Sequence, residues 1–147
     1  MGLRFTAGRA TRLLVAVLVC GVAAGASAAD TFRIRLTPVP IEASTAAATT
    51  GQGSATAQLD GTKLTLKGNF AGLKGAATVA RLHEGPVTGV RGPAIADFTV
   101  PAAQNGTFTA DVTLTAAQAD SVRRGHVYVQ IASASAPDGN LWGWLLP

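Results

Sequence analysis

From Ser54 onward the chain alternates. In "SATAQLDGTKLTLKGNF" small or apolar residues and polar ones exchange places step by step on both sides of Asp60-Gly61. A period of two puts alternate side chains on opposite faces of a strand. It is incompatible with an amphipathic helix, whose apolar residues recur every three or four positions. Asp-Gly readily adopts the positive dihedrals of a tight hairpin turn. The stretch therefore predicts two antiparallel strands, the second with Leu64, Leu66 and Phe70 on one side and Thr65, Lys67 and Asn69 on the other.

The pattern recurs along the chain. "TFRIRL" alternates Phe32, Ile34 and Leu36 with Arg33 and Arg35. In "TPVPIEASTAAATTGQG", Pro38 and Pro40 cannot donate to a ladder, so this stretch is expected at an edge or in a loop. "GAATVARLHE" is another alternating run. "AIADFTVPAAQNGTFTADVTL" reads as a hairpin turning at Asn105-Gly106. Its first arm buries Phe98 and Val100, its second Phe108, Ala110, Val112 and Leu114. "HVYVQIA" buries Val127, Val129 and Ile131. A Pro137-Asp138-Gly139 turn then leads into "NLWGWLL". Many short strands with frequent turn signals indicate a sandwich or barrel.

One helix interrupts, over 116–124. In "LTAAQADSVRRG", Thr115 at the N-cap and Gln118 three residues on form a capping box. Arg123 and Arg124 suit the negative end of the helix dipole. Gly125 can take the left-handed conformation that ends the helix.

The first 28 residues read as a signal peptide. Arg4, Arg9 and Arg12 form a basic start, "LLVAVLVCGVAAG" an apolar stretch, and "ASA" a small-residue cleavage site ending at Ala28, with Ala29 as the alternative. The apolar stretch is shorter than the roughly 20 residues of a membrane span, and no later segment qualifies. Residues 29–53 hold an N-terminal strand and an Ala/Thr/Pro-rich segment, and 54–147 the core of a single domain spanning about 31–147. Cys20, the chain's one cysteine, lies inside the leader behind Val19, which is not the small residue a lipoprotein signal requires. Stability must then come from the apolar core alone. Three of the 12 basic residues leave with the leader, so nine basic residues face eight acidic ones in the remainder. Lys63, Lys67 and Lys74 look scattered along the sequence. Nucleic-acid binding, which wants a basic stripe with interleaved aromatics, is not expected.

No catalytic constellation stands out. Ser133 and Ser135 lie in "SASAP", a loop composition, and triads are recognised by geometry rather than by the presence of Ser, His and Asp. "GLKGAA" and "GPVTGVRGP" are glycine-rich but do not lead from a strand into a long helix, so they fail as phosphate loops. His126 is expected to hydrate or cap the last helical carbonyls. His83 is the one candidate metal ligand or base, and a lone imidazole is more often a loop anchor.

"GHVYVQIASASAPDGNLWGWL", "ARLHEGPVTGVRGPAI" and the helix between them resemble the CHRD domain, the module named after chordin. The resemblance runs from Thr31 to Leu146. It implies an exported, immunoglobulin-like antiparallel β-sandwich with Greek-key connections, of a kind found in bacterial extracytoplasmic proteins. Family histidines correspond to Arg81, His83 and Ala132, and a family acidic residue to Asn140. Imidazoles and a carboxylate on neighbouring strands could hold a divalent metal. This chain keeps only His83.

The ending also orients the tryptophans. Leu141, Gly143 and Leu145 share one face of the last strand, Trp142 and Trp144 the other. The family has an apolar residue at the Leu141 position, which turns both indoles outward as a platform about 7 Å long. Two packing alternatives stay open: Tyr128 or the N-terminal segment covers the indoles, or one indole fills a gap at Gly143. The resulting expectation is a secreted or periplasmic binding or structural module without catalysis or cofactor. Its partner is an envelope or extracellular protein or glycan, met by Trp142, Trp144, Tyr128, Arg81 and His83. The alternative is a metal-binding or metal-dependent redox protein of the periplasm.

Overall fold

The structure, a computed structural model, describes residues 1–2, 28–40 and 42–147. The expected signal peptide, with Cys20, falls outside these residues except for Met1, Gly2 and Ala28. The elements are β1 (Asp30–Pro38), β2 (Gln52–Asp60), β3 (Lys63–Ala71), β4 (Ala77–Glu84), β5 (Ala94–Phe98), β6 (Gly106–Thr113), α1 (Ala116–Arg123), β7 (Val127–Ser133) and β8 (Ala136–Trp144). All pairings are antiparallel, in the order β5-β4-β7-β8-β1-β2-β3-β6. Among the described residues the fold is all-β with one short helix, as the alternation and the capping box predicted. No helix among the described residues is long and apolar enough to cross a membrane.

The two expected layers are the two halves of one sheet, joined at β1. β1 pairs with β2 from Asp30↔Leu59 to Leu36↔Gly53. On its other side it meets β8 at Thr37↔Trp142 and Pro38↔Leu141, with a further bridge at Arg33↔Leu146. Inward residues of both halves, among them Ile34, Leu36, Leu66, Phe70, Val129 and Leu141, form one buried cluster. Each such side chain contributes roughly 1.5–3 kcal/mol on leaving water.

Of the stretch expected at an edge or in a loop, Thr37 and Pro38 instead end the central strand β1. Val39 N donates to Asn140 O on the β8 side. Successive strand residues point their N–H groups to opposite sides, so the donor missing at Pro38 faces the β2 side, where pairing has already ended at Leu36↔Gly53.

The expected hairpin across Asn105-Gly106 does not form. β5 pairs with β4 and β6 with β3, at opposite ends of the sheet order. Pro101 cannot extend a ladder, and the segment after it crosses the end of the core. There Ala103 O accepts from Ala77 N, Gln104 O from Leu73 N, and the Asn105 side chain from Gly72 N. The two edges touch instead through Phe98 and Phe108, with ring centroids 5.6 Å apart. As an edge strand, β6 leaves Ala110 and Val112 only half-buried.

The turn into β8 also differs from expectation. β7 and β8 turn at Ala134-Ser135, and Asp138-Gly139 lie within β8. There the register steps from Ile131↔Leu141 to Ser133↔Ala136, a bulge for which Gly139 supplies φ of 133°.

α1 is capped as predicted. Thr115 Oγ1 accepts from Gln118 N, Gln118 Oε1 accepts from Thr115 N, and Gly125 has φ of 73°. Arg123 ties the helix to Asp30 at 3.0 Å and pairs within the helix with Asp120 at 3.2 Å. The hydrogen bond to Asp30, followed by its charge, pushes the guanidinium pKa upward. His126 reaches the helix through its backbone, N donating to Ser121 O.

Candidate functional site

Antiparallel register sets two rows of side chains across the outer face of β4, β7 and β8. One row is His83–Tyr128–Trp144, the next Arg81–Gln130–Trp142. Neighbouring strands lie about 4.8 Å apart, close enough for aromatic side chains to pack against one another. All five residues singled out in the sequence stand on these rows.

Tyr128 is the centre of the cluster and is 1% exposed. His83 stacks on it, with centroids 4.9 Å apart and planes at 11°. Trp144 lies 4.5 Å away at 41°, and Trp142 5.6 Å away at 79°. The two indoles meet at 5.7 Å and 70°, edge to face. The two indoles do not lie in one plane, because both tip onto the tyrosine between them. Both remain half-buried on the outside. Neither fills a gap at Gly143. A Cβ there would collide with Ile34 and lie 2.6 Å from Arg35 O, so β1 already occupies that space.

The loop of residues 85–93 closes over the other flank. Tyr128 Oη accepts from Gly92 N at 3.3 Å and donates to Gly92 O at 3.4 Å. His83 Nδ1 lies 2.9 Å from the same carbonyl. A carbonyl only accepts, so Nδ1 is the donor in this contact. Gly92 is required here, since a Cβ would collide with Glu84 O. Among the described residues, His83 Nε2 and the donor Trp144 Nε1 are both buried without a hydrogen-bond partner. Such unpaired groups cost about 1–3 kcal/mol each.

The rim is mixed in character. The Arg91 guanidinium carbon lies 5.8 Å from the Trp142 ring centre, a cation–π approach. Arg81 pairs with Asp97 at 3.2 Å in an exposed contact of little energetic weight. Val87, Val90 and Leu146 are each about half exposed. They belong to one end of the fold: Thr88 Oγ1 donates to Gly125 O at 2.7 Å, and the Cβ position of Gly125 lies 3.4 Å from Leu146 Cδ2. Beyond Arg91 a groove of about 440 Å³ runs past Val39, Glu42, Pro137 and Asp138.

Of the positions implied by the metal-binding resemblance, only His83 holds a metal-ligating side chain. Arg81 and His83 face outward, whereas Ala132 and Asn140 are buried. Asn140 Nδ2 donates to Thr50 O, and its Oδ1 accepts from Ser133 Oγ at 2.9 Å. Ser135 Oγ donates to Ala48 O. Among the described residues no group of three or more His, Cys, Asp or Glu side chains is placed to hold a metal. The role of Gly92 and Arg91 was not legible in "GPVTGVRGP". Loop composition says that a chain turns, not which side chain it turns over.

A family model described as the CHRD domain matches residues 32–145. Comparison with curated proteins and with solved structures gave no match.

Proposed function

The chain belongs to the CHRD domain family, and on that premise we propose that it is an exported, non-catalytic binding module that holds a protein partner against the outer face of β7 and β8. The observation that carries this reading is the indole pair. Trp142 and Trp144 stay half-buried on the outer face, propped on a buried Tyr128 instead of being drawn into the core. Tryptophan, tyrosine and arginine dominate the residues on which binding energy concentrates. Export rests on the leader-like sequence of the first 28 residues.

Two features favour protein over envelope glycan. Sugar rings stack on flat, open aromatic faces, and here the indoles stand at 70° to each other. The neighbouring exposed groups are the aliphatic side chains of Val87, Val90 and Leu146, which suit an apolar protein contact.

The test compares wild type with a Trp142→Ala, Trp144→Ala double variant of matched thermal stability. Each is immobilised and exposed to an extracytoplasmic extract of the source cells, and each is separately sedimented with insoluble envelope glycan. A discrete protein retained by wild type and lost from the variant supports the reading. Sedimentation with glycan alone moves it to a glycan ligand. Equal retention by both proteins removes the indole pair from any binding role.

A further inference from the structure

The basic residues that look scattered in the sequence are gathered by the sheet register. β1, β2, β3 and β6 turn their outward side chains to one face, on the half of the sheet away from β4 and β7. One row reads Arg33–Thr56–Lys67–Thr109, and the next Arg35–Ser54–Asn69–Thr107. Lys63, on β3, lies four residues before Lys67 and so faces the same way. These four cations are exposed, and none forms a salt bridge among the described residues. Two carboxylates share the face: Asp60 at the β2–β3 turn, and Asp111, which accepts from Thr65 Oγ1 at 2.7 Å. Arg33 and Lys67 sit two strands apart, about 10 Å between Cα atoms.

The face is also hollowed. A depression of about 390 Å³ is lined by Arg35, Gln52, Ser54 and Asn69. A smaller one of about 80 Å³ is lined by Thr56, Gln58, Thr65 and Lys67. Each sets a cation beside hydroxyl and amide groups.

We infer that the outer face of β1, β2, β3 and β6 binds an anionic polysaccharide. The cations meet carboxylate or sulfate groups repeated along the polymer, and Thr56, Ser54, Gln58 and Asn69 exchange hydrogen bonds with ring hydroxyls. Nucleic acid is the weaker fit, because the outward positions of these strands hold no aromatic side chain on which a base could stack. This surface meets the aromatic face along β1, where Thr37 pairs with Trp142 and Arg33 bridges Leu146, but its charge variants leave both indoles in place, so either reading can fail while the other stands.

The experiment uses purified protein with polygalacturonate, dextran sulfate, neutral dextran and single-stranded DNA, at low and at raised ionic strength. The variants are Lys67→Glu, the pair Arg33→Glu with Lys67→Glu, and Lys74→Glu as an equal charge change away from this face. The inference expects binding to the two anionic polysaccharides and not to neutral dextran. It expects affinity to fall steeply with salt, and by at least about tenfold in the double variant. Lys74→Glu should bind as wild type does, and all variants should keep the wild-type melting temperature. Preference for polygalacturonate or for dextran sulfate identifies carboxylate or sulfate as the favoured group. Three results overturn the inference: no binding to either anionic polymer, equal weakening by Lys67→Glu and Lys74→Glu, or tighter binding to DNA than to both polysaccharides.

Discussion

His83 stacks on Tyr128 with ring centroids 4.9 Å apart, and both side chains reach the same backbone residue, Gly92. One loop glycine thereby fixes two side chains on adjacent strands. The stack lets a binding face form where the sheet alone would only present side chains in rows. Tyr128 is the floor, His83 and Gly92 close one flank, and the indoles form the open flank.

Tyr128→Phe keeps the stack and removes both contacts to Gly92. It should cost about 1 kcal/mol of folding stability, the usual net worth of a hydrogen bond of this kind. Most of the change should be local. Hydrogen exchange at the Gly92 amide should accelerate more than exchange in β3, which makes no contact with the loop's anchor. Equal acceleration across both would show that the hydroxyl does not hold the loop.

Gly143→Ala should destabilise far more than a surface substitution. The added methyl would collide with Ile34 and press to 2.6 Å from the Arg35 carbonyl, which is backbone and cannot rotate away. A loss of about 3 kcal/mol, the upper end for an overpacked core, is expected in chemical denaturation. A near-neutral result would mean that β1 and β8 can separate without cost.

Asn140→Asp should make stability depend on pH. Asn140 is fully buried and donates its amide to Thr50 O. A carboxylate there would turn an acceptor toward an acceptor. The protonated form is favoured in the folded state, so the new group's folded pKa lies above its unfolded value of about 3.9. A raised pKa means that the penalty is absent below the unfolded pKa and grows as pH rises through and above it. At neutral pH the variant should be weaker by about 3 kcal/mol. Its denaturation midpoint should approach that of wild type below about pH 4. A constant gap at all pH values would contradict the assignment.

Local signals were legible in the sequence, and long-range partnerships were not. Phe32, Ile34 and Leu36 are buried on β1 as the alternation implies, and Thr115 and Gln118 cap α1 through neighbours three residues apart. Asn105-Gly106 misleads because the Asn105 side chain bonds Gly72, 33 residues away, and no local rule sees that partner. That Trp142 and Trp144 share a face follows from strand parity, and their outward direction from the resemblance, which places an apolar residue at Leu141. Their mutual angle depends on Tyr128, which only the β7–β8 register brings between them. Arg33 and Lys67 share a row only because β2 sits between their strands.

The most direct test of the proposed binding face is site-specific photo-crosslinking in the native cells. A photoactivatable residue is placed at Val90, on the exposed rim of the aromatic face, and separately at Thr109, on the opposite half of the sheet. The account predicts a discrete, heavier protein adduct from Val90, lost when Trp142→Ala and Trp144→Ala are added, and no such adduct from Thr109. An adduct that forms equally from both positions, or that survives loss of both indoles, would contradict it.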